Sequence, residues 1–285
     1  MSNAFSQGIG VEVIIQPDPT TGKDAFISSS NPSTNYGSYE DLVMLASGTT
    51  NLMRALIKFD LSSIPTNVGI ETVGITLRGG VSVMTPLGNS YPSTLPYTQN
   101  LLWLERVTQN WQESTVNWSN QPLTTQIDRA QVAASTSNID YICNIQNSYS
   151  LMNMVQNMVS NPSSNYGFMF KLQNEDGNRN MAFKSSDYIG QVPEKYRPQI
   201  HITYSIPDFT YCFNSSNPQE YTFNSTSYSS HRVQHQWIID GDEVSQDRIF
   251  TTNLSQGIHQ ICHTITFYGY YQDFVTSKCI TICVY

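Results

Sequence analysis

The sequence predicts an all-β protein built as β-sandwiches, with one short helix. Charged residues make up 13% of the 285-residue chain, about half the usual share. Asparagine, which favours turns over helix interiors, occurs 24 times. Apolar residues alternate with polar ones in many short runs bounded by turn residues, which is typical of strands. The 17 tyrosines and 12 phenylalanines provide apolar surface that disordered chains lack.

Nine runs in the first 205 residues have the strand pattern. In chain order they are Val11–Ile15, Ala25–Ile27, Leu42–Leu45, Arg54–Phe59, Ile70–Leu77, Leu101–Val107, Phe168–Leu172, Met181–Lys184 and Gln199–Tyr204. In the fourth run Ala55 and Ile57 alternate with Arg54 and Lys58, so the two cations share a face. Strands this short and frequent, with no long helices between them, favour a sandwich or jelly roll.

One segment has helical spacing instead. The apolar residues of Leu151–Val159 recur every three or four positions, which predicts a short amphipathic helix. Ser150 is the predicted N-cap, and Asn161 followed by Pro162 ends the helix. We expect the helix to close one end of the sandwich, because its methionines suit irregular core space.

A loop sequence occurs twice, at Ser30–Gly37 and at Ser160–Gly167, each time before a strand. Its proline favours a turn, and its glycine permits a positive φ. We interpret the two copies as one loop design used twice, since eight residues are too few for a solenoid repeat.

The predicted domain boundary lies at Ile206–Asp208, where a closing strand ends and cysteine use changes. We expect a flexible tail over residues 1–9, a first domain over 10–206 and a second domain over 207–285, both of ordinary size. No signal peptide is visible at the N-terminus. Ser2–Ala4 is typical of an expression tag, which leaves open whether a native export signal was removed.

The second domain contains a predicted cross-strand disulfide. If Ile261 and Ile265 face the core, the two-residue period turns Cys262 outward. A hairpin turn near residues 269–271 then places Cys262 opposite Cys279. We therefore predict a Cys262–Cys279 bond, which requires Cα atoms roughly 4.4–6.8 Å apart.

The remaining cysteines complete the prediction. We expect Cys212 and Cys283 to form a terminal disulfide and Cys143 to stay a free, buried thiol. No CxxC pair is present, which argues against zinc. Two disulfides indicate an oxidising, extracytoplasmic compartment; the alternative is a cytosolic protein with scattered buried thiols.

Charge and motifs exclude several function classes. A net charge of −8 is opposite to the basic surface that nucleic-acid binding requires. No apolar run reaches the roughly 20 residues of a membrane helix. The sequence has no phosphate loop, dinucleotide motif or nucleophile elbow. No two carboxylates stand out as a glycosidase pair, so we predict no catalytic residue.

Calcium is the metal that the sequence leaves open, and no other cofactor is predicted. His259 and His263 are four residues apart on a strand, about 13 Å, which is too far to share a zinc ion. Several aspartates lie in turn-like segments that suit a structural calcium ion, but no EF-hand spacing identifies a ligand set. These aspartates are Asp18, Asp24, Asp41, Asp60 and Asp176.

The first domain resembles the DNRLRE domain family. The resemblance is carried, in the family's order, by Asp24–Ile27, Asn31–Gly37, Arg54–Ser62, Trp111–Pro122, Asn165–Gly167, Phe183–Ser186 and Arg197–Ile200. The namesake tract is degenerate, at Asp176–Met181. The resemblance implies a jelly-roll β-sandwich of secreted and cell-surface proteins. It also implies relatives that bind acidic polysaccharide such as alginate.

The second domain resembles a PKD-type, immunoglobulin-like sandwich. Gln236–Gly241, Gly257–Thr266 and Lys278–Val284 carry this resemblance. It implies a small β-sandwich with Trp237 as the core tryptophan of its central strand. It also implies export from the cell.

A basic stripe is the predicted ligand face of the first domain. Six cations fall within predicted strands, where lysine is depleted and a charge needs a solvated face. They are Arg54, Lys58, Arg78, Arg106, Lys171 and Lys184. If neighbouring strands bring them to one face, the stripe suits carboxylated sugars. The alternative is that they scatter over both sheets and pair with Asp60 and Glu105.

Aromatic residues add two candidate contacts. Tyr91 and Tyr97 lie in the long loop 84–100, and loops of this length are uncommon unless functional. We predict that they contribute to ligand binding. For Trp111 and Trp118, we favour a structural role over sugar stacking, because large aromatics dominate core burial.

The predicted hairpin turn of the second domain is unusually aromatic. Tyr268, Tyr270 and Tyr271 gather where turns are normally polar. We predict a contact surface for a partner, a neighbouring domain or a glycan. The alternative is that these rings fold over their own domain or over the first.

These observations predict a non-catalytic, secreted or cell-surface module. Its expected partners are a polysaccharide or cell-surface glycan and other domains of a larger exported protein, and adhesion is a related role. We expect neither nucleic-acid binding nor membrane insertion. One alternative is a purely structural stalk, and another is a polysaccharide hydrolase or lyase on a sandwich fold.

Overall fold

The computed structural model describes residues 10–79, 89–90, 99–137, 141–146, 148–227, 233–268 and 273–285. These residues form two compact units. The larger unit comprises the described residues of Val13–Ile64 and Thr72–Ile202, and the smaller comprises those of Thr203–Tyr285 and Pro65–Glu71 together with residues 10–12. Most regular structure is antiparallel strand, so the predicted all-β sandwich class is confirmed.

Two sheets are built from the strands between residues 11 and 205. These strands are β1 Val11–Ile15, β2 Asp24–Ser28, β3 Asp41–Ser47, β4 Asn51–Ile57, β5 Gly69–Arg78, β6 Leu102–Val107, β7 Thr124–Val132, β8 Ile142–Gln146, β9 Phe168–Leu172, β10 Asn178–Lys184 and β11 Gln199–Ser205. One sheet has the order β1-β11-β5-β8. The seven-stranded sheet has the order β10-β3-β4-β9-β6-β7, with β2 also paired to β4.

The two-residue period of β4 gives the seven-stranded sheet an inner and an outer face. Ala55 and Ile57 are fully buried and lie opposite Phe170 and Phe168 of β9. These side chains belong to the inner face. Arg54 has the opposite phase and therefore points to the outer face. The predicted alternation holds for Arg54, Ala55 and Ile57, whereas Leu56, which has the outward phase, is also buried, in a cluster with Trp111.

Two short helices interrupt the strands: α1, Tyr149–Ser160, and α2, Pro193–Tyr196. The N-cap of α1 is Ser148, whose Oγ accepts a hydrogen bond from the Leu151 backbone N–H at 3.1 Å. The predicted cap, Ser150, is wrong, because the helix begins one residue earlier, at Tyr149. Within the described residues, no helix is long and apolar enough to cross a membrane.

The smaller unit is a second sandwich around an aromatic core. Its strands are β12 Phe209–Asn214, β13 Asn217–Ser225, β14 Val233–Ile239, β15 Asp242–Ser245, β16 Ile249–Asn253, β17 Gly257–Phe267 and β18 Phe274–Val284. They form a three-stranded sheet, β12-β13-β16, and a four-stranded sheet, β15-β14-β17-β18. Phe223, Trp237 and Ile261 lie in the core between them and are fully buried.

One of the two predicted disulfides is present. Cys262 and Cys279 are opposite each other in β17 and β18, and they form the predicted disulfide with a Cα–Cα distance of 4.0 Å, just below the expected range. Cys143 is a free, buried thiol. The predicted Cys212–Cys283 bond is wrong: both thiols are free and exposed. They point outward from different sheets of the sandwich, so the core separates them.

Candidate functional site

Three neighbouring strands bring two cations and an indole ring to the outer face of the seven-stranded sheet. Ala55 of β4 is opposite Phe170 of β9 in an antiparallel pair. Arg54, which precedes Ala55, is therefore opposite Lys171, which follows Phe170, and both side chains face outward. Trp103 of β6 is opposite Lys171. Neighbouring strands lie about 4.8 Å apart, so this row spans about 10 Å.

Arg54 packs against Trp118, which opens a 3₁₀ turn in the loop between β6 and β7. The Arg54 guanidinium carbon is 4.8 Å from the centre of the Trp118 ring. Its Nε and Nη2 donate to the two carboxylate oxygens of Glu175, each at 2.7 Å, and Nη1 donates to Gln121 Oε1 at 2.9 Å. Two parallel bonds to one carboxylate fix the guanidinium plane, so Arg54 and Trp118 form an ordered pair.

Arg129 makes the corresponding contact with Trp103. Its guanidinium carbon is 3.8 Å from the centre of the Trp103 ring. The register between β6 and β7 shifts at this point, and Asp128 has a positive φ of 62°. A β-bulge re-aims nearby side chains. We attribute the position of Arg129 over the indole to this bulge.

Lys171 is tied to the sheet by a buried carboxylate. Its Nζ lies 2.8 Å from Oε2 of Glu105, whose side chain is 0% exposed. Thr124 Oγ1 donates to the same oxygen at 2.7 Å. A buried charge needs partners of this kind, so Lys171 holds its position across β9 and β6 while its own side chain stays partly exposed.

We call Trp103, Trp118, Arg54, Arg129 and Lys171 the tryptophan face. Both indole rings are partly exposed, and each carries a guanidinium group. An indole ring offers an apolar surface for a sugar ring, and guanidinium and ammonium N–H groups donate to hydroxyl or carboxylate oxygens. Aromatic side chains with a few placed polar groups are typical of ligand sites.

The predicted six-residue basic stripe is wrong, because its members lie on different faces. Only Arg54 and Lys171 share the tryptophan face. Arg106, opposite Phe168, has the inner-face phase of the same sheet, and Lys184 lies on the edge strand β10, opposite Asp41. Arg78 points outward from the other sheet, and Lys58 follows the end of β4. The cations are therefore scattered, as the alternative anticipated, and one of its two expected partners is present, because Lys171 pairs with Glu105.

Lys184 is also engaged elsewhere: its Nζ lies 2.6 Å from Asp41 Oδ1. Of the predicted tyrosines, Tyr91, Tyr97, Tyr270 and Tyr271 lie outside the described residues. Tyr268 is 39% exposed, and its hydroxyl donates to Gln234 Oε1 at 2.6 Å. The predicted partner surface therefore stays a prediction.

Sequence reasoning missed Trp103, Arg129 and the exposure of Trp118. A signal for Trp103 was present, because Leu102 and Leu104 alternate with it and are buried, which turns Trp103 outward. The structural role expected for Trp111 is right: it is 5% exposed, and its Nε1–H donates to the Tyr166 carbonyl at 2.8 Å.

Four of the five candidate calcium aspartates have other partners. Asp18 Oδ1 accepts hydrogen bonds from Thr20 and Thr21, and Asp60 accepts one from the Ser62 N–H. Asp41 and Asp176 form ion pairs with Lys184 and Arg179.

Asp24 is different, because it forms a carboxylate cluster with Glu113 and Asp187. Burial raises the pKa of Asp24 to about 7 and also raises the pKa of Glu113 and of Asp187. With Asp24 1% exposed, it has no access to a polysaccharide as a catalytic acid.

The tripod (BppUct-A-L) from the baseplate of bacteriophage Tuc2009 aligns at 8% identity over 100% of this chain and 99% of that chain, with a TM-score of 0.14. A score this low supports no argument about fold or function. No curated protein matches the sequence.

The model of carbohydrate-binding module family 96 matches residues 18–204, which corrects the DNRLRE and PKD assignments made from the sequence. Carbohydrate-binding modules are non-catalytic, so the predictions of carbohydrate binding and of no enzymatic activity are confirmed. Through residues 18–204, the chain belongs to carbohydrate-binding module family 96.

Proposed function

We propose that this module binds a polysaccharide on the tryptophan face. The observation that carries the proposal is the pairing of Arg129 with Trp103 and of Arg54 with Trp118 on one sheet face. Arg54, which packs against Trp118, lies on β4, and Trp103 lies on β6, two strands away in the sheet. Indole rings placed in this way suit an extended chain of sugar rings. Ion pairs with Glu175 and Glu105 fix Arg54 and Lys171 in place, which reduces the ordering cost of binding.

The local charge favours sugars that carry carboxylates. The tryptophan face has three cations, and Glu105 and Glu175 neutralise two of them. Among the described residues, Arg129 has no carboxylate partner within ion-pair distance. Its guanidinium group remains available for a fork-like contact with a uronate carboxylate.

Affinity gel electrophoresis tests this proposal. Retardation of the wild-type chain by alginate or polygalacturonate should exceed retardation by a neutral glucan, and it should weaken with salt. Trp103→Ala and Arg129→Ala should each reduce retardation at least fivefold. Arg78→Ala is the matched control, because Arg78 lies on the outer face of the other sheet, and it should leave retardation unchanged.

Loss of binding in the Arg78 variant, with retention in the Trp103 and Arg129 variants, would place the site elsewhere. Equal retardation by neutral and acidic polymers would remove the preference for carboxylates and leave the surface assignment intact. No retardation by any polymer would favour the structural-stalk alternative.

We further propose that the module works outside the cell, in a larger exported protein. The Cys262–Cys279 disulfide supports an oxidising compartment, and a polysaccharide ligand is accessible there. Labelling of intact cells with an antibody against the module tests this. Surface signal supports the proposal, and signal only after lysis contradicts it.

A further inference from the structure

Three carboxylates from distant parts of the larger unit converge. Asp24 begins β2, Glu113 lies in the loop between β6 and β7, and Asp187 follows β10. One oxygen from each lies within 4.8 Å of the other two. Oxygens that share a calcium ion at 2.3–2.6 Å are at most about 5 Å apart, so this spacing fits one ion.

Asp24 supplies an independent sign of a ligand. Its side chain is 1% exposed, and its Oδ2 accepts a hydrogen bond from the Ser186 N–H at 2.9 Å. Its Oδ1 is buried and has no hydrogen-bond partner among the described residues. Oδ2 of Asp187 is also buried and has no hydrogen-bond partner among the described residues. A buried carboxylate oxygen without a partner is costly, and two in one cluster call for a cation.

The nearest protein cations are engaged by other groups. Lys23 interacts electrostatically with Glu113, but its Nζ donates to the Trp111 carbonyl. Arg197 attracts Asp187, but its Nε donates to the Tyr188 carbonyl at 3.1 Å. Lys23 and Arg197 therefore reduce the repulsion among the three carboxylates, but they do not supply the hydrogen bonds that the buried oxygens lack.

We propose that Asp24, Glu113 and Asp187 bind one calcium ion. A donor set of carboxylates alone suits a hard cation rather than zinc or copper, and calcium tolerates irregular carboxylate geometry better than magnesium does. The ion joins the start of β2, the end of β10 and the loop that leads to Trp118. It therefore stabilises the fold around the tryptophan face.

Calorimetric titration of the EGTA-treated full chain with CaCl2 tests this proposal without any sugar. We expect one site, and a rise in Tm of about 5 °C when calcium is present at 100 times its Kd. Asp187→Asn should weaken calcium binding at least tenfold. Glu194→Gln removes an exposed carboxylate of α2 and, as the matched control, should bind calcium like the wild type.

The stability of the Asp187→Asn variant separates a metal ligand from a merely structural residue. Without calcium the variant should be at least as stable as the wild type, because it removes like-charge repulsion. With calcium it should be less stable. A variant that is less stable in both conditions overturns the proposal. So does a folded wild type that shows neither heat nor a Tm shift up to about 10 mM calcium, or an equal shift with MgCl2.

Discussion

The guanidinium carbon of Arg129 lies 3.8 Å from the centre of the Trp103 ring. This cation–π contact links the bulged strand β7 to the outward phase of β6. Arg54 and Trp118 repeat the relationship nearby, at 4.8 Å. The two pairs place two indole rings and two guanidinium groups on the outer face of the sheet. The proposed binding depends on these four groups.

Glu175 limits the charge of this surface, because it neutralises Arg54 through two 2.7 Å hydrogen bonds. Glu175→Gln keeps a side-chain acceptor and removes one negative charge. We therefore expect two- to fivefold tighter binding of alginate, measured by calorimetry at low salt, with a difference that shrinks as salt is added. Asp176→Asn changes the adjacent, more exposed carboxylate and is the control. Weaker binding by the Glu175 variant alone would mean that the orientation of Arg54 matters more than its charge.

The Cys262–Cys279 disulfide closes a loop with a sequence separation of 17 residues. Replacing both cysteines by serine should lower the free energy of unfolding of the smaller unit by about 3 kcal/mol. Urea unfolding of the full chain measures this. Replacing the free thiols Cys212 and Cys283 by serine should have no such effect. Equal losses in the two double variants would argue against a specific role for the disulfide.

His263 makes the smaller unit sensitive to acid. It stacks on Trp237 at a ring-centre distance of 4.2 Å, and its Nε2 lies 3.1 Å from Nδ1 of His235. Burial, and then the charge of His235, lower its pKa to about 3, although Asp208 opposes this. In the unfolded chain the pKa is about 6.5. Below that pH the unfolded chain binds a proton that the folded chain does not, so stability falls as pH falls.

We expect this loss to be about 1.4 kcal/mol per pH unit between pH 6 and pH 4. Urea unfolding at several pH values, followed by the indole ¹H–¹⁵N resonance of Trp237, measures it. A His263→Gln variant that is folded at pH 7 should have a smaller slope, and His235, whose pKa burial also lowers, accounts for part of what remains. The same slope in the variant would contradict the assignment to His263.

Much of the fold is predictable from local patterns. The two copies of the Asn-Tyr-Gly loop show this well, because each asparagine amide donates to a backbone carbonyl: Asn35 to Glu113 and Asn165 to Phe59. A Cβ on Gly37 or Gly167 would lie 2.2 Å from a backbone carbonyl oxygen. The repeated sequence therefore marks a repeated close approach of two chain segments, which only glycine permits.

The candidate sites are harder to predict, because they depend on which strands become neighbours. The two-residue period correctly predicts that Arg54 points away from Ala55 and Ile57. It does not predict that β9, rather than β5 or β10, lies beside β4. The six-cation stripe failed for this reason. Likewise, Asp24, Glu113 and Asp187 are far apart in sequence, and nothing local indicates that their carboxylates meet.

The indole N–H resonances of the four tryptophans test the central claim most directly. A two-dimensional ¹H–¹⁵N spectrum of the full chain, recorded while alginate oligosaccharide is added, should show shifts for Trp103 and Trp118. Trp111 and Trp237 donate their Nε1–H to the carbonyls of Tyr166 and Asp247, and their resonances should stay in place. Saturable shifts confined to Trp111 or Trp237, or binding that leaves Trp103 and Trp118 unmoved, would contradict a tryptophan-face site.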